Sequence, residues 1–257
     1  MTSETPDLAA ATAFVTGGGG AIGAEVAAAL AEEGRRVAVA DRDLDAAERV
    51  SRRLSAAGAE ALAVELDVGS EESWSAALQE AGPVGVLVNA AGIEGPVERL
   101  GDYPVEAFDE VLRVNARGTF LGMRSVLPAM ARAGEGCVVN VSSSAGLVGT
   151  PKLGAYVASK HAVLGLTRAA AVEYGPKGVR VNAVCPGPTE GRMIESIERG
   201  RGGGEAARVR QAYLDAIPLR RYAEPGQVAA AVAFLASARA GSINGAALAV
   251  DGGMTAI

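Results

Sequence analysis

The chain has 257 residues, 49% of them hydrophobic, and a formal net charge of −6. That is enough length to bury a large core, and acids and bases spread along the chain argue against nucleic acid as the main partner, because phosphates demand a basic face. No uninterrupted apolar run is long enough to span a membrane, and the opening "MTSETPDLAAATAF" lacks a basic region followed by a long apolar stretch, so a cytoplasmic protein with no membrane partner is expected.

"TAFVT" (12–16) reads as a short buried strand. The glycines that follow it lead into a helix of about a dozen residues ending near Gly34. "RVAVAD" (36–41) is a second strand, and "DAAERVSRRLSAAG" (45–58) is an amphipathic helix closed by Gly58. "EALAVELD" (60–67) is a third strand, and "SEESWSAALQEAG" (70–82) a helix with a serine cap and early acids. "VGVLVNAAG" (84–92) is a fourth strand, followed by a long helical region at about 104–133. "GCVVNVSS" (136–143) makes a fifth strand, and a helix is expected at about 154–175. "VRVNAVCPG" (179–187) is a sixth strand, followed by an irregular helical stretch. "EPGQVAAAVAFLAS" (224–237) starts a helix with proline in its first turn, and "GAALAVDGG" (245–253) supplies a seventh strand.

Strands separated by helices predict an α/β fold: a doubly wound, parallel, seven-stranded sheet with helices on both faces, in three layers. No linker divides the chain, so residues 1–257 are expected to form one domain, with an excursion at about 188–217. Cys137 and Cys185 sit in apolar strand-like runs without metal-ligand spacing, so buried free thiols and no metal are expected. "RGRGGG" (199–204) resembles an Arg/Gly nucleic-acid tract, but it is short and isolated, and a flexible loop is the favoured reading.

Ligands in such sheets bind beyond the carboxyl ends of the strands. The first strand ends in "TGGGGAIG" (16–23). A turn there aims backbone N–H groups and a helix N-terminus at an anion, and the missing side chains admit a pyrophosphate; on this stretch alone a glycine linker remains open. Asp41 ends the second strand, 24 residues after Gly17. It fits an acid that bonds the adenosine ribose hydroxyls and repels a 2′-phosphate, which favours NAD over NADP, although Arg42 beside it could admit that phosphate. The third strand ends in Asp67 and Val68, and the fourth in Asn89, Ala90, Ala91 and Gly92, whose small residues would let a flat ring lie on the backbone. The fifth ends in Ser142, Ser143 and Ser144, and "YVASK" places Tyr156 and Lys160 at i and i+4 on one helical face. An ammonium beside a phenol lowers its pKa and suits it to general acid–base work. The single histidine, His161, reads as structural.

These segments, with "LDV" (66–68), "NARGTF" (115–120), "NAVCPGP" (182–188) and "VDGG" (250–253), resemble the single-domain branch of the short-chain dehydrogenase/reductase family over about residues 9 to 253. The resemblance implies a Rossmann-type fold and an NAD-dependent oxidoreductase that interconverts a secondary alcohol and a ketone. It assigns Tyr156 as the acid/base and Ser143 as the group orienting the substrate oxygen. Lys160 would bond the nicotinamide ribose and depress the tyrosine, and Asn115 would hold a relay water. Gly17 and Gly20 would cradle the pyrophosphate, with Ile22 under the nicotinamide half. Asp67 and Val68 would line the adenine site, Asn89, Ala90 and Gly92 the floor under the riboses, and Pro186 and Gly187 would flank the nicotinamide. Two departures stand out: Ala21 where the family has glycine, and Gly191 where it often has threonine, leaving Thr189 or backbone groups to make that contact. A homotetramer is implied, built partly from the helices at about 104–133 and 154–175. Substrate contacts are expected from Glu94, 144–154 and 188–217, the last either a lid with its glycine run at 202–204 or a surface insertion. An NADPH-dependent carbonyl or 3-oxoacyl reductase, and a non-catalytic dinucleotide-binding regulator, are the alternative functions.

Overall fold

The computed structural model describes residues 11–202 and 204–256. The starting residues of the family resemblance, 9 and 10, and Gly203 of the glycine run lie outside them. The chain runs β1 (Thr12–Thr16), α1 (Ala21–Glu32), β2 (Val37–Asp41), α2 (Leu44–Ala56), β3 (Ala61–Glu65), α3 (Glu71–Ala81) and β4 (Val84–Asn89). It continues through α4 (Val105–Leu112), α5 (Gly118–Ala133), β5 (Gly136–Val141), α6 (Gly154–Tyr174), β6 (Val179–Pro186), α7 (Arg192–Gly202), α8 (Ala206–Ala216), α9 (Pro225–Ala236) and β7 (Ala247–Val250). All seven strands are parallel, in the order β3-β2-β1-β4-β5-β6-β7. The order reverses between β1 and β4, so their carboxyl ends diverge and open a crevice there.

Alternation along the strands builds the layers, because successive side chains leave a sheet on opposite faces. Ala13 and Val15 of β1, Val37 and Val39 of β2, and Val86 and Val88 of β4 enter one core with Val26 and Leu30 of α1, Leu54 of α2 and Val232 of α9. Phe14, Ala38 and Leu87, from the same strands, enter the other core with Trp74 of α3, Leu121 of α5 and Ala170 of α6. The Rossmann-type three-layer sheet is therefore written into the strand pattern.

Local chemistry sets several boundaries. The Ser70 hydroxyl accepts from Ser73 N–H (3.2 Å) and caps α3 as expected. Pro225 opens α9, and its Glu224–Gln227 capping box closes the orphan donors there. The expected helical region at 104–133 is present, with a π-helical turn over Arg113–Arg117 between α4 and α5, and the irregular helical stretch after β6 is two helices, α7 and α8. Two expectations need correction. Arg199–Gly202, expected within a flexible loop, forms the last turn of α7. β7 stops at Val250, because Gly252 and Gly253 take left-handed φ values of 64° and 89° and turn the chain.

Candidate active site

A cleft of about 640 Å³ lies across the carboxyl ends of the strands and receives residues from every strand end from β1 to β6. At its centre is the glycine turn. Gly17 has φ 64°, and a Cβ there would come within 2.7 Å of Ala91 Cα; one on Gly23 would stand 2.1 Å from Gly17 O. Glycine is required at both positions, so that the turn can fold onto α1 and onto the end of β4. The Thr16 hydroxyl locks that junction by accepting from Ala90 and Ala91 N–H (both 3.1 Å). Asp41 braces the same turn: its carboxylate accepts from Gly19 N–H (2.9 Å) and Asp43 N–H (3.1 Å).

The far wall holds the phenol and the ammonium. Tyr156 is 8% exposed and Lys160 4% exposed, both on α6, with Lys160 Nζ 5.6 Å from the Tyr156 ring centroid. Lys160 Nζ donates to Val141 O (2.9 Å), and the Ser142 hydroxyl donates to Lys160 O (2.9 Å), so the end of β5 clasps α6 from both sides. The Ser143 hydroxyl accepts from Ala145 N–H (3.1 Å) and faces the cleft.

A family profile described as enoyl-(acyl carrier protein) reductase matches residues 19–255. The 2-(S)-hydroxypropyl-CoM dehydrogenase 3 of Xanthobacter autotrophicus is 41% identical over 250 residues, covering 95% of this chain and 96% of that protein. The chain belongs to the short-chain dehydrogenase/reductase family. Among solved structures, levodione reductase superposes with a TM-score of 0.91 at 34% identity, over 96% of this chain and 98% of that one. An NAD+-bound xylitol dehydrogenase superposes at 0.89 with 31% identity, over 96% and 100%. These likenesses support an oxidoreductase activity with a nicotinamide dinucleotide.

The cradle fits the dinucleotide that this short-chain dehydrogenase/reductase would use. Its glycines leave no room for side chains where the turn passes β4, and a Cβ on Gly92 would meet Asn115 Oδ1 and Lys160 Nζ, each at 3.3 Å. Gly17, Gly20, Ile22, Asp41, Asp67, Val68, Ala90 and Gly92 line the cleft, as do Pro186, Gly187 and Thr189. Thr189 donates its hydroxyl to Gly187 O (3.0 Å). The two departures from the family pattern meet in space: a Cβ built on Gly191, which has φ 138°, would stand 3.3 Å from the Ala21 methyl.

Two expected site residues spend their carboxamides on the protein itself. Asn89 is buried and donates from Nδ2 to Asn140 Oδ1 (2.8 Å), whose own Nδ2 donates to Thr167 Oγ1 (2.9 Å). It pins β4 to β5 and α6 and does not floor the cleft. Asn115 commits its carboxamide too: Oδ1 accepts from Ile93 N–H (2.8 Å), and Nδ2 reaches Ile93 O and Ser159 Oγ (both 2.9 Å).

The electrostatics also depart from expectation. Burial pushes the Tyr156 phenol up to about 12, with the Ser143 hydrogen bond pulling the other way and the Glu94 charge adding to the rise. Burial pulls the Lys160 ammonium down to about 8. The expected fall of the tyrosine is absent here: burial dominates, and only the Ser143 hydrogen bond opposes it.

Sequence reasoning missed Arg113. It lines the adenosine end, bonds both oxygens of Asp67 (3.0 Å each) and pairs with Glu110. Burial raises Asp67, but the Gly69 N–H and Arg113 outweigh it and hold that carboxyl below its ordinary value. The Glu110–Arg113 spacing of three was the available signal. Glu94 does not line the cleft, whereas Thr150 and Leu153 of the 144–154 segment do.

Proposed function

We propose that this chain is an NAD-preferring oxidoreductase that interconverts a secondary alcohol and a ketone, with Tyr156 as the general acid/base. The observation that carries this reading is the convergence of Tyr156, Ser143 and Lys160 on one wall of a cleft built around the glycine turn. When bound, the nicotinamide gives or accepts the hydride.

The residues of the chain govern orientation and proton traffic. Gly17, Gly20 and the N-terminus of α1 hold the pyrophosphate. Ser143 hydrogen-bonds the substrate oxygen and turns it towards Tyr156. Tyr156 gives its proton to that oxygen in reduction and takes one in oxidation. Lys160 holds the nicotinamide ribose and supports the phenolate as it forms. Asn115 acts by fixing Ile93 and Ser159 in place.

Asp41 at the end of β2 supports NAD, since its carboxylate repels a 2′-phosphate. Arg42, exposed and lining the same end of the cleft, favours a second reading as an NADPH-linked carbonyl or oxoacyl reductase. Turnover with NAD against NADP, over secondary alcohols, sugars, steroids and hydroxyacyl thioesters, separates the two. A clear NADP preference removes the Asp41 argument, and tight dinucleotide binding without turnover across the panel favours the non-catalytic regulator.

The same reading takes the chain as one cytoplasmic domain acting on a small molecule, without nucleic-acid or membrane partners, and assembling as a homotetramer. Phe120 of α5 and Val172 of α6 are 45% and 78% exposed, which supports contact through those helices. A monomer in size-exclusion chromatography with light scattering overturns the assembly.

A further inference from the structure

The cleft changes character along its length. Its adenosine end carries Asp41, Arg42, Asp67, Glu110 and Arg113. Past Tyr156 the charges in the lining thin out to Glu190 and Arg192, and Glu94, outside the lining, is near enough to act on the Tyr156 phenol. Ala145, Leu153, Met193 and Ile197 line the cleft and pack in one apolar cluster with the Tyr156 ring. Ile194, Tyr213 and Met254 continue that lining from a second apolar cluster held by α7, α8 and the C-terminal turn. The polar side chains there, Ser143, Ser144 and Thr150, are uncharged. Glu190 also lines this end, but its carboxylate is ion-paired with Arg210, and Arg192 is exposed to solvent.

We propose that the substrate is an uncharged secondary alcohol, or its ketone, with a compact apolar body such as an alicyclic ring, and not a polyol or an anion. This rests on the oxidoreductase reading above and names the substrate of the same site. A hydroxyl or carboxylate pressed against Leu153 and Ile197 leaves water without gaining a partner there, whereas a ring or branched alkyl body gains burial. The one oxygen that must be met has Ser143 and Tyr156. A compact body fits because the apolar lining is confined to the short stretch from Ala145 and Leu153 to Tyr213 and Met254, in a cleft that the dinucleotide shares.

The test measures kcat/KM of the wild-type protein for cyclohexanol, 4-methylcyclohexanol and 1-indanol against myo-inositol and 4-hydroxycyclohexanecarboxylate, each with NAD and with NADP. The best apolar ring alcohol should exceed both polar compounds by ~10- to 100-fold, the cost of one buried unpaired group. Ile197→Ser should narrow that margin at least fivefold with the Kd for reduced dinucleotide unchanged; an unchanged margin counts against the proposal. If myo-inositol or the carboxylate is turned over as well or better, the substrate class is overturned and the oxidoreductase reading stands. Loss of the carboxylate's turnover in Arg192→Ala would then give the anion to Arg192. No turnover of any of these alcohols, and none of cyclohexanone with reduced dinucleotide, overturns the secondary-alcohol reading and the proposal with it.

Discussion

Tyr156 keeps its proton in a place that water scarcely reaches. Burial lifts the phenol to about 12, so at neutral pH it stands ready as an acid and must be relieved of its proton before it serves as a base. Tyr156→Phe removes the proton and little else from the wall. Turnover should fall by at least ~10²–10⁴-fold with dinucleotide Kd nearly unchanged, and undiminished turnover assigns the proton to another group. Lys160 gives a second prediction at this scale. Its folded value of about 8 lies below the ordinary 10.5 of the unfolded chain. Between those two values the unfolded state binds more protons, so the Lys160 contribution to stability rises with pH through that window, and the full cost of burying the charge is felt below about 8. Lys160→Met lacks that slope. Its Tm relative to wild type should therefore be higher at pH 7 than at pH 10, by the equivalent of up to ~3 kcal/mol. A difference that does not change with pH would mean that Lys160 is solvated in the fold.

At the scale of elements, side-chain polar contacts decide how the strand ends are held. The chain Asn89–Asn140–Thr167 joins β4, β5 and α6, and every member is buried. Asn89→Ala strands Asn140 Oδ1 without its donor and should cost ~1–3 kcal/mol in denaturant unfolding, with dinucleotide Kd little altered. A large rise in Kd at unchanged stability would return Asn89 to the binding site. This is also where the reading of the sequence ended. Tyr156 with Lys160, and Asp41, are legible because helix spacing or a strand end fixes their place locally. The partner of Asn89 is 51 residues away and becomes its neighbour only once β4 and β5 pair. The π turn at Arg113–Arg117 is equally hidden, since 104–133 reads only as a long helical region and the wider turn leaves no mark in the apolar pattern. The tyrosine shift needed the third dimension too, because burial and not the neighbouring ammonium dominates it.

Over the whole molecule, two cores on either side of one sheet carry the cleft between the ends of the strands. Phe14 of β1 and Trp74 of α3 pack with ring centroids 5.6 Å apart, and Trp74 Nε1 donates to Val68 O (3.0 Å). The core thus reaches the floor of the adenosine end directly. Trp74→Ala should lower stability by ~3–5 kcal/mol, seen as a drop in Tm, and should weaken dinucleotide binding through Val68; a loss under ~1 kcal/mol would mean that the site collapses to fill the gap. The contact between Ala21 and Gly191 also reaches across the molecule, from the first helix to the approach to α7. It constrains the routes by which this sequence can change. A threonine arriving at 191 while Ala21 stands meets both a crowded methyl and a backbone φ of 138° that suits glycine alone. The same threonine after Ala21→Gly finds the methyl gone but meets the same φ, so the loop must re-fold in either order. Of the two single-step orders towards the family pattern, the one through glycine at position 21 removes the crowding before the backbone has to change.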